Sequence, residues 1–383
     1  MDFTLTAEHR ELRTTLRDFF EQHASVETIA QLDREERFPE EIYAGMAALG
    51  LTGLCIPSEY GGNPADEISV CIVVEEVARA SGSVEYAYVP TALFCAKGIA
   101  HYGTEAQKRA ILPEVAAGRR RMAIGLSEPD AGSDLTRLST RAHRDGTDFV
   151  LRGQKIFTTG ADTADDILTL VRTDPNGPIH GGTSVLLVPR DASGLTVQPL
   201  RKLAGQATHT CEVFFDNVRV PQDALVGGLN KGLEVVFGLL DADRVYVGAM
   251  GCGIAQGVLD LATRYADDRV QFGQPIIEHQ AVGHPLADIA VEVEMARLLV
   301  WRAAWAIEQG EPTTTLAAMA KIAGSEVGTR AAGRGMQVLG GYSYMVEYGM
   351  ERYWREAKLN EIAGGTNQIL RNMIVKHLRS TSR

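Results

Sequence analysis

The spacing of apolar and polar positions changes period twice along the chain. From residue 1 to about 120 an apolar side chain recurs every three or four positions, as in "MDFTLTAEHRELRTTLRDFF", which predicts amphipathic helices. "PSEYGGNP" (Pro57 to Pro64) and "GSVEYAYVP" (Gly82 to Pro90) read as turn signals between them. From 121 to 231 the runs are short and β-rich: "FVLRGQKIFTT", "DILTLVRT", "TSVLLVP", "LTVQPL" and "CEVFFDNVRVP", divided by Gly, Pro, Asn and Asp. Strands so spaced predict a small barrel or sandwich. From 232 to 383 the helical period returns in "LEVVFGLLDADRVYVGAM" and "HPLADIAVEVEMARLLVWRAAWAIEQG", the latter stopped by Gly310 and Pro312. Successive helices of that length predict a four-helix bundle. The expected fold class is therefore α+β multidomain: an α-helical domain (1–120), a β domain (121–231) and a helical bundle (232–383).

Composition narrows the function classes. A chain of 383 residues is long enough for two or three subdomains. Its net charge of −11, with basic residues scattered, argues against duplex nucleic acid as a partner. The one basic cluster, "GRRRM" (Gly118 to Met122), reads as a solvated loop or as a patch for phosphates or an acidic partner. No apolar run approaches the roughly eighteen residues of a membrane span, and the N-terminus reads as a helix rather than a signal peptide. Cys55, Cys71, Cys95, Cys211 and Cys252 are far apart, odd in number and mostly in apolar surroundings, as expected of reduced core thiols in a cytoplasmic protein. The histidines never fall at metal-ligand spacing, so no metal is expected.

Several segments carry possible chemistry. In "GLSEPDAGSD" (Gly125 to Asp134) Pro and Gly fix a tight turn, and its N–H groups with Ser127 and Ser133 suit an anionic or carbonyl-bearing ligand; an ordinary connecting loop has the same composition. "IFTTG" alternates apolar and hydroxyl side chains, as a strand beside a ligand or a plain half-buried strand does. "QVLGG" (Gln337 to Gly341) allows close backbone approach to a ligand and equally a helix C-cap at Gly340. "GCGIAQG" (Gly251 to Gly257) matches a dinucleotide glycine pattern, but helical sequence follows where a second strand ending in an acid is required. Its glycines read better as a thin helix face.

Taken in order, "LSEPDAGSD", "GQKIFTTGA", "DDRVQFGQPIIEHQ", "QVLGGYSYMVEYGMERYWREAKL" and "GGTNQI" make nearly the whole chain resemble the acyl-CoA dehydrogenase family. The resemblance implies FAD as cofactor, an acyl-CoA thioester as substrate, a role in fatty acid metabolism, a homotetramer or dimer, and an electron-transfer flavoprotein as acceptor. It implies flavin contacts at Leu126, Ser127, Gly132, Ser133, Phe157 and Thr159, with Ser133 also near the CoA. It places Arg269, Phe272 and Gln280 on the flavin of a neighbouring subunit, Gln337, Gly340 and Gly341 at the adenine and pyrophosphate, and Thr366 and Gln368 at further flavin contacts. Asp241, Arg244 and Gly365 would hold substrate. The chain departs from the family at Asp130, where glycine is usual, and at Phe157, where tryptophan is usual.

The family's reaction removes an α-proton while the β-hydrogen leaves as hydride to flavin, and it needs a desolvated carboxylate base. Many members carry a Glu directly before the "GT" of the last motif, where this chain has Gly364. The isovaleryl-CoA and long-chain members carry the base on an earlier bundle helix, immediately before an Arg. That position is Asp243, the candidate base, while the N–H of Gly364 would still serve the thioester carbonyl. Aspartate falls short of glutamate by roughly one 1.5 Å bond, and a misplacement of that order costs about a hundredfold in rate unless something compensates. Other readings stay open: the same chemistry on a carrier-protein-bound acyl group, a non-catalytic partner subunit of a heteromeric dehydrogenase, and the reverse, enoyl-reducing direction.

Overall fold

The computed structural model describes residues 4–381. Seven α-helices come first: α1 (Ala7–His23), α2 (Val26–Arg34), α3 (Glu40–Ala48), α4 (Glu67–Ala80), α5 (Gly82–Val89), α6 (Ala96–Tyr102) and α7 (Glu105–Ala116). Their starts follow the capping residues: the side chains of Thr6, Ser25, Asp66 and Thr104 each accept a first-turn N–H, and Thr104 with Gln107 completes a capping box.

"GSVEYAYVP" is not a turn. Ser81 caps α5, all eight residues of α5 are buried, and a π-helical stretch, Pro90–Cys95, carries the chain straight into α6. Its Gly, Ser and Pro mimic turn signals, but burial on every side overrides local propensity, and Pro90 is accommodated where the helix widens.

The middle of the chain forms β1 (Met122–Gly125), β2 (Arg141–Asp145), β3 (Asp148–Thr159), β4 (Asp166–Arg172), β5 (Thr183–Pro189), β6 (Leu195–Leu200), β7 (Thr210–Pro221) and β8 (Leu225–Val226). They make one eight-stranded sheet in the order β6-β7-β3-β2-β4-β5-β8, with β1 beside β4. The β3–β7 ladder slips register between Leu151 and Arg152 and again between Lys155 and Thr158, and the second irregularity lies in the candidate flavin segment.

The last part holds α8 (Gly232–Asp268), a short hairpin of β9 (Val270–Gln271) and β10 (Gln274–Pro275), then α9 (Gln280–Glu308), α10 (Thr314–Leu339), α11 (Met350–Asn360) and α12 (Asn367–Thr381). A Cβ at Gly251 would lie 2.0 Å from the Gly324 carbonyl oxygen, and one at Gly253 2.1 Å from that of Glu75. "GCGIAQG" is thus the thin face on which α10 and α4 approach α8, in the middle of a helix with no strand before it.

By length and composition alone α8 meets the requirement for a membrane span, contrary to the sequence reading. The Asp and Arg residues near its start interrupt the apolar run in the sequence, and 78% of its most apolar window is packed inside the protein. It is the central helix of a core shared by α1, α4, α5 and the bundle, built on residues such as Phe20, Val73, Tyr88, Tyr246 and Val300. The sheet has its own core around Phe149, Leu151, Ile167 and Val213. Each arginine of "GRRRM" is paired, Arg119 with Glu114, Arg120 with Asp166 and Arg121 with Glu40, so the cluster ties α7, β4 and α3 together.

Candidate active site

The loop after β1 and the end of β3 form one surface. Glu128 and Ala131 exchange backbone hydrogen bonds of 2.9 and 3.1 Å, closing a tight turn over Pro129 and Asp130. Asp130 takes its place in that turn without a left-handed backbone. Below the turn the Glu128 carboxylate, 2% exposed, accepts from the Ser139 and Thr140 N–H groups and from Lys155 Nζ at 2.8 Å. Lys155, fully buried, also donates to the Leu126 carbonyl at 3.0 Å, and the Ser127 carbonyl accepts from the Ile156 N–H at 2.9 Å. Lysine's charge and the surrounding N–H and hydroxyl donors hold the Glu128 carboxyl at about 2 against its burial, whereas burial brings Lys155 down to about 8. The sequence reading missed this pair. Each partner is a charged residue inside one of the two ligand motifs, but nothing in their spacing shows that they pair.

The irregularity after Lys155 aims Phe157 outward. Its φ of 59° is left-handed, which a β-carbon disfavours, and its ring is 66% exposed beside the half-buried Leu126, Ser127 and Thr159. An exposed aromatic face held by a strained backbone and bordered by hydroxyls is a seat for a flat aromatic ring, and a flavin fits it. Gly132 and Ser133 lie exposed on the adjoining loop.

On the bundle side the two alternative base positions face each other. A Cβ built on Gly364 would lie 3.3 Å from Asp243 Oδ2 and 3.6 Å from Val247 Cγ2. Asp243 is half-buried, and burial raises its carboxyl to about 6, partly offset by Arg244 and Lys321. Gly364 and Gly365 both have left-handed φ, 64° and 92°, a run that side chains resist. Their carbonyls are pinned by cations: Lys321 Nζ donates to Gly365 O at 3.0 Å, and Arg244 Nε to Gly364 O at 3.5 Å. Lys321 also donates to Asn367 Oδ1 at 2.8 Å, which locks the start of α12, where the Thr366 hydroxyl accepts from the Ile369 N–H. The Gly364 N–H meets no acceptor among the described residues. Lys321 and Asn367 were not foreseen, although a lone lysine in the small apolar run "AAMAKIAG" marks a buried cation.

Asp241 and Arg244 pair at 3.1 Å, one turn apart on α8. Asp241 also accepts from the hydroxyls of Thr313 and Thr314, at 3.2 and 2.7 Å, tying the start of α10 to α8.

The remaining candidates lie at the other end of α8, except Gln368, which stands in the first turn of α12 next to Asn367 on the Asp243 side. Arg269 sits 5.7 Å from the Tyr342 ring, which brings it to the segment carrying Gly340 and Gly341, and Gly340 terminates α10 with φ 59°. Phe272 stands 95% exposed at the tip of the β9–β10 hairpin. Gln280, Gln337 and Gln368 are exposed. Asp243 and Arg269 are 26 residues apart on one helix, roughly 39 Å along its axis at 1.5 Å per residue. One chain therefore presents two groups of candidate contacts at opposite ends of one rod.

Comparison with known proteins agrees with this architecture. Models of the acyl-CoA dehydrogenase N-terminal, middle and C-terminal domains match residues 6–119, 123–218 and 230–379. A probable acyl-CoA dehydrogenase, YngJ, of Bacillus subtilis is 38% identical, with 99% of this chain and 100% of the relative covered. The mitochondrial short-chain specific acyl-CoA dehydrogenase of Bos taurus is 36% identical, covering 98% and 91%. The solved structure of butyryl-CoA dehydrogenase from Megasphaera elsdenii superimposes with a TM-score of 0.93 at 33% identity, covering 99% and 100%. The chain belongs to the acyl-CoA dehydrogenase family of FAD-dependent oxidoreductases.

Proposed function

We propose that the chain, like other members of its family, dehydrogenates an acyl-CoA, and that Asp243 is its base, taking the α-proton of the thioester as the β-hydrogen departs as hydride. The observation that carries this reading is the apposition of the Asp243 carboxylate, held near 6, to the bare backbone of Gly364. A carboxyl with such a value is ionised at neutral pH yet keeps more basicity than an ordinary aspartate. The absence of a side chain at Gly364 compensates for aspartate's shorter reach, because substrate can settle closer to α8. The N–H of Gly364 is the donor for the thioester carbonyl, and it strengthens its hold as charge develops there. Lys321 and Arg244 keep that N–H in place through the two glycine carbonyls.

FAD, when bound, accepts the hydride. Phe157 would pack on its ring, Leu126, Ser127, Gly132, Ser133, Thr159, Thr366 and Gln368 would border it, and Arg269, Phe272, Gln280, Gln337, Gly340 and Gly341 would come from a second copy of the chain. The separation along α8 supports that division between copies. Asp241, Arg244 and Gly365 hold the CoA side, and an electron-transfer flavoprotein takes the electrons.

The test is an anaerobic titration of the yellow protein with straight, branched and cyclic acyl-CoA thioesters, following flavin absorbance. Bleaching by one class identifies the substrate. A yellow protein that none of them bleaches refutes the acyl-CoA reading in favour of carrier-bound acyl groups or the reductive direction, and a colourless protein favours a partner-subunit role.

A further inference from the structure

A half-buried lysine lies behind the flavin face and plays no part in the mechanism above. Lys202 follows β6, and its Nζ donates to the Thr208 carbonyl at 2.5 Å and to Thr210 Oγ1 at 3.4 Å. Thr210 Oγ1 lies 3.2 Å from Thr159 Oγ1, a contact in which either hydroxyl is capable of donating. The ammonium also stands 4.7 Å from the Tyr86 ring centroid, and Asp33, Asp162, Cys211 and Glu356 are the ionisable groups around it. Burial brings the lysine down to about 8, so it remains mostly protonated at neutral pH.

An ammonium donates and never accepts, whereas each hydroxyl has one proton to give. Lys202 and Thr159 are the only partners of Thr210 Oγ1 among the described residues, and Lys202 cannot accept, so the arrangement that leaves no Thr210 proton unused has Thr210 accepting from Lys202 and donating to Thr159. Thr159 then accepts from Thr210, and its own proton is left to point outward, away from the chain. We propose that Lys202 is a positioning residue that sets the direction of the Lys202–Thr210–Thr159 chain, so that Thr159 always presents a donor to the flavin. This rests on the placement of Thr159 against the ring. An ordered donor aimed at a ring acceptor, with a cation behind it, stabilises the electron-richer reduced state. Without the lysine both hydroxyls are free to reverse, and the donor is present only part of the time.

The test is a spectroelectrochemical titration of the flavin-loaded protein with reductant and a dye couple and no thioester, so its outcome does not depend on the substrate reading. Lys202→Met and Thr210→Val should each keep bound flavin and lower its midpoint potential by about 30 mV, a tenfold change in the two-electron equilibrium. Thr210→Ser, which restores the hydroxyl, should return the wild-type potential. The two losses should not add, because each cuts the same chain. In turnover, kcat should fall with KM held. A wild-type potential in Thr210→Val, which keeps the lysine and decides alone if Lys202→Met does not fold, overturns the proposal. Additive shifts overturn it too, since they make Lys202 a general field rather than the head of a chain.

Discussion

At residue 243 catalysis and stability pull in opposite directions. Asp243→Asn should bind flavin normally yet lose about 10²- to 10⁴-fold in kcat, the range for a positioned general base, as read by stopped-flow bleaching. In the wild type kcat/KM should fall tenfold per pH unit below about 6, because the base works only when ionised, and should be level above it. The folded chain holds this proton more tightly than the unfolded chain, whose value is near 3.8. Ionisation therefore removes stability as pH rises from about 4 through 6, and Asp243→Asn should melt no lower than wild type at pH 7. Asp243 and Gly364 were both legible in the sequence as departures at two family positions. That they touch was not legible, since 121 positions separate them and only the left-handed turn at Gly364 and Gly365 brings the second to the first.

At the level of elements the strands were the easier reading, because alternating burial on one sheet leaves a period of two, whereas α5 is buried all round and shows no period at all. Pairing across elements was invisible for the same reason that it matters. Lys155 and Glu128 lie 27 positions apart and are buried at 0% and 2% exposure, so Lys155→Met should leave an uncompensated carboxylate and cost about 3–5 kcal/mol in urea unfolding. The Glu128 contribution should be intact above about 4.5, its unfolded value, and be lost as pH falls toward 2. Helix packing offers a second test. A Cβ at Gly324 would meet the Gly248 carbonyl oxygen at 2.0 Å, so Gly324→Ala should force α8 and α10 apart and lower the urea midpoint by the equivalent of about 1–3 kcal/mol.

For the whole molecule, the order of helices, sheet and bundle was readable because each part keeps a single period over a hundred residues or more. How the two helical parts share one core was not, since contacts between α4 and α8 leave no mark on the sequence except the glycines of α8. The reading of two chains per flavin predicts that Arg269→Ala leaves helix content unchanged but weakens flavin binding about ten- to a hundredfold, measured as the ratio of flavin to protein absorbance on dilution; 1.5–3 kcal/mol is the usual worth of a hydrogen bond to a charged group. The single rod joining the two ends has a consequence for descent. Each residue of an α-helix advances the phase by roughly 100°, so one residue gained or lost between Asp243 and Arg269 would swing the base away from Gly364 or the arginine away from Tyr342. The count of residues along α8 is therefore as fixed as the residues at its two ends.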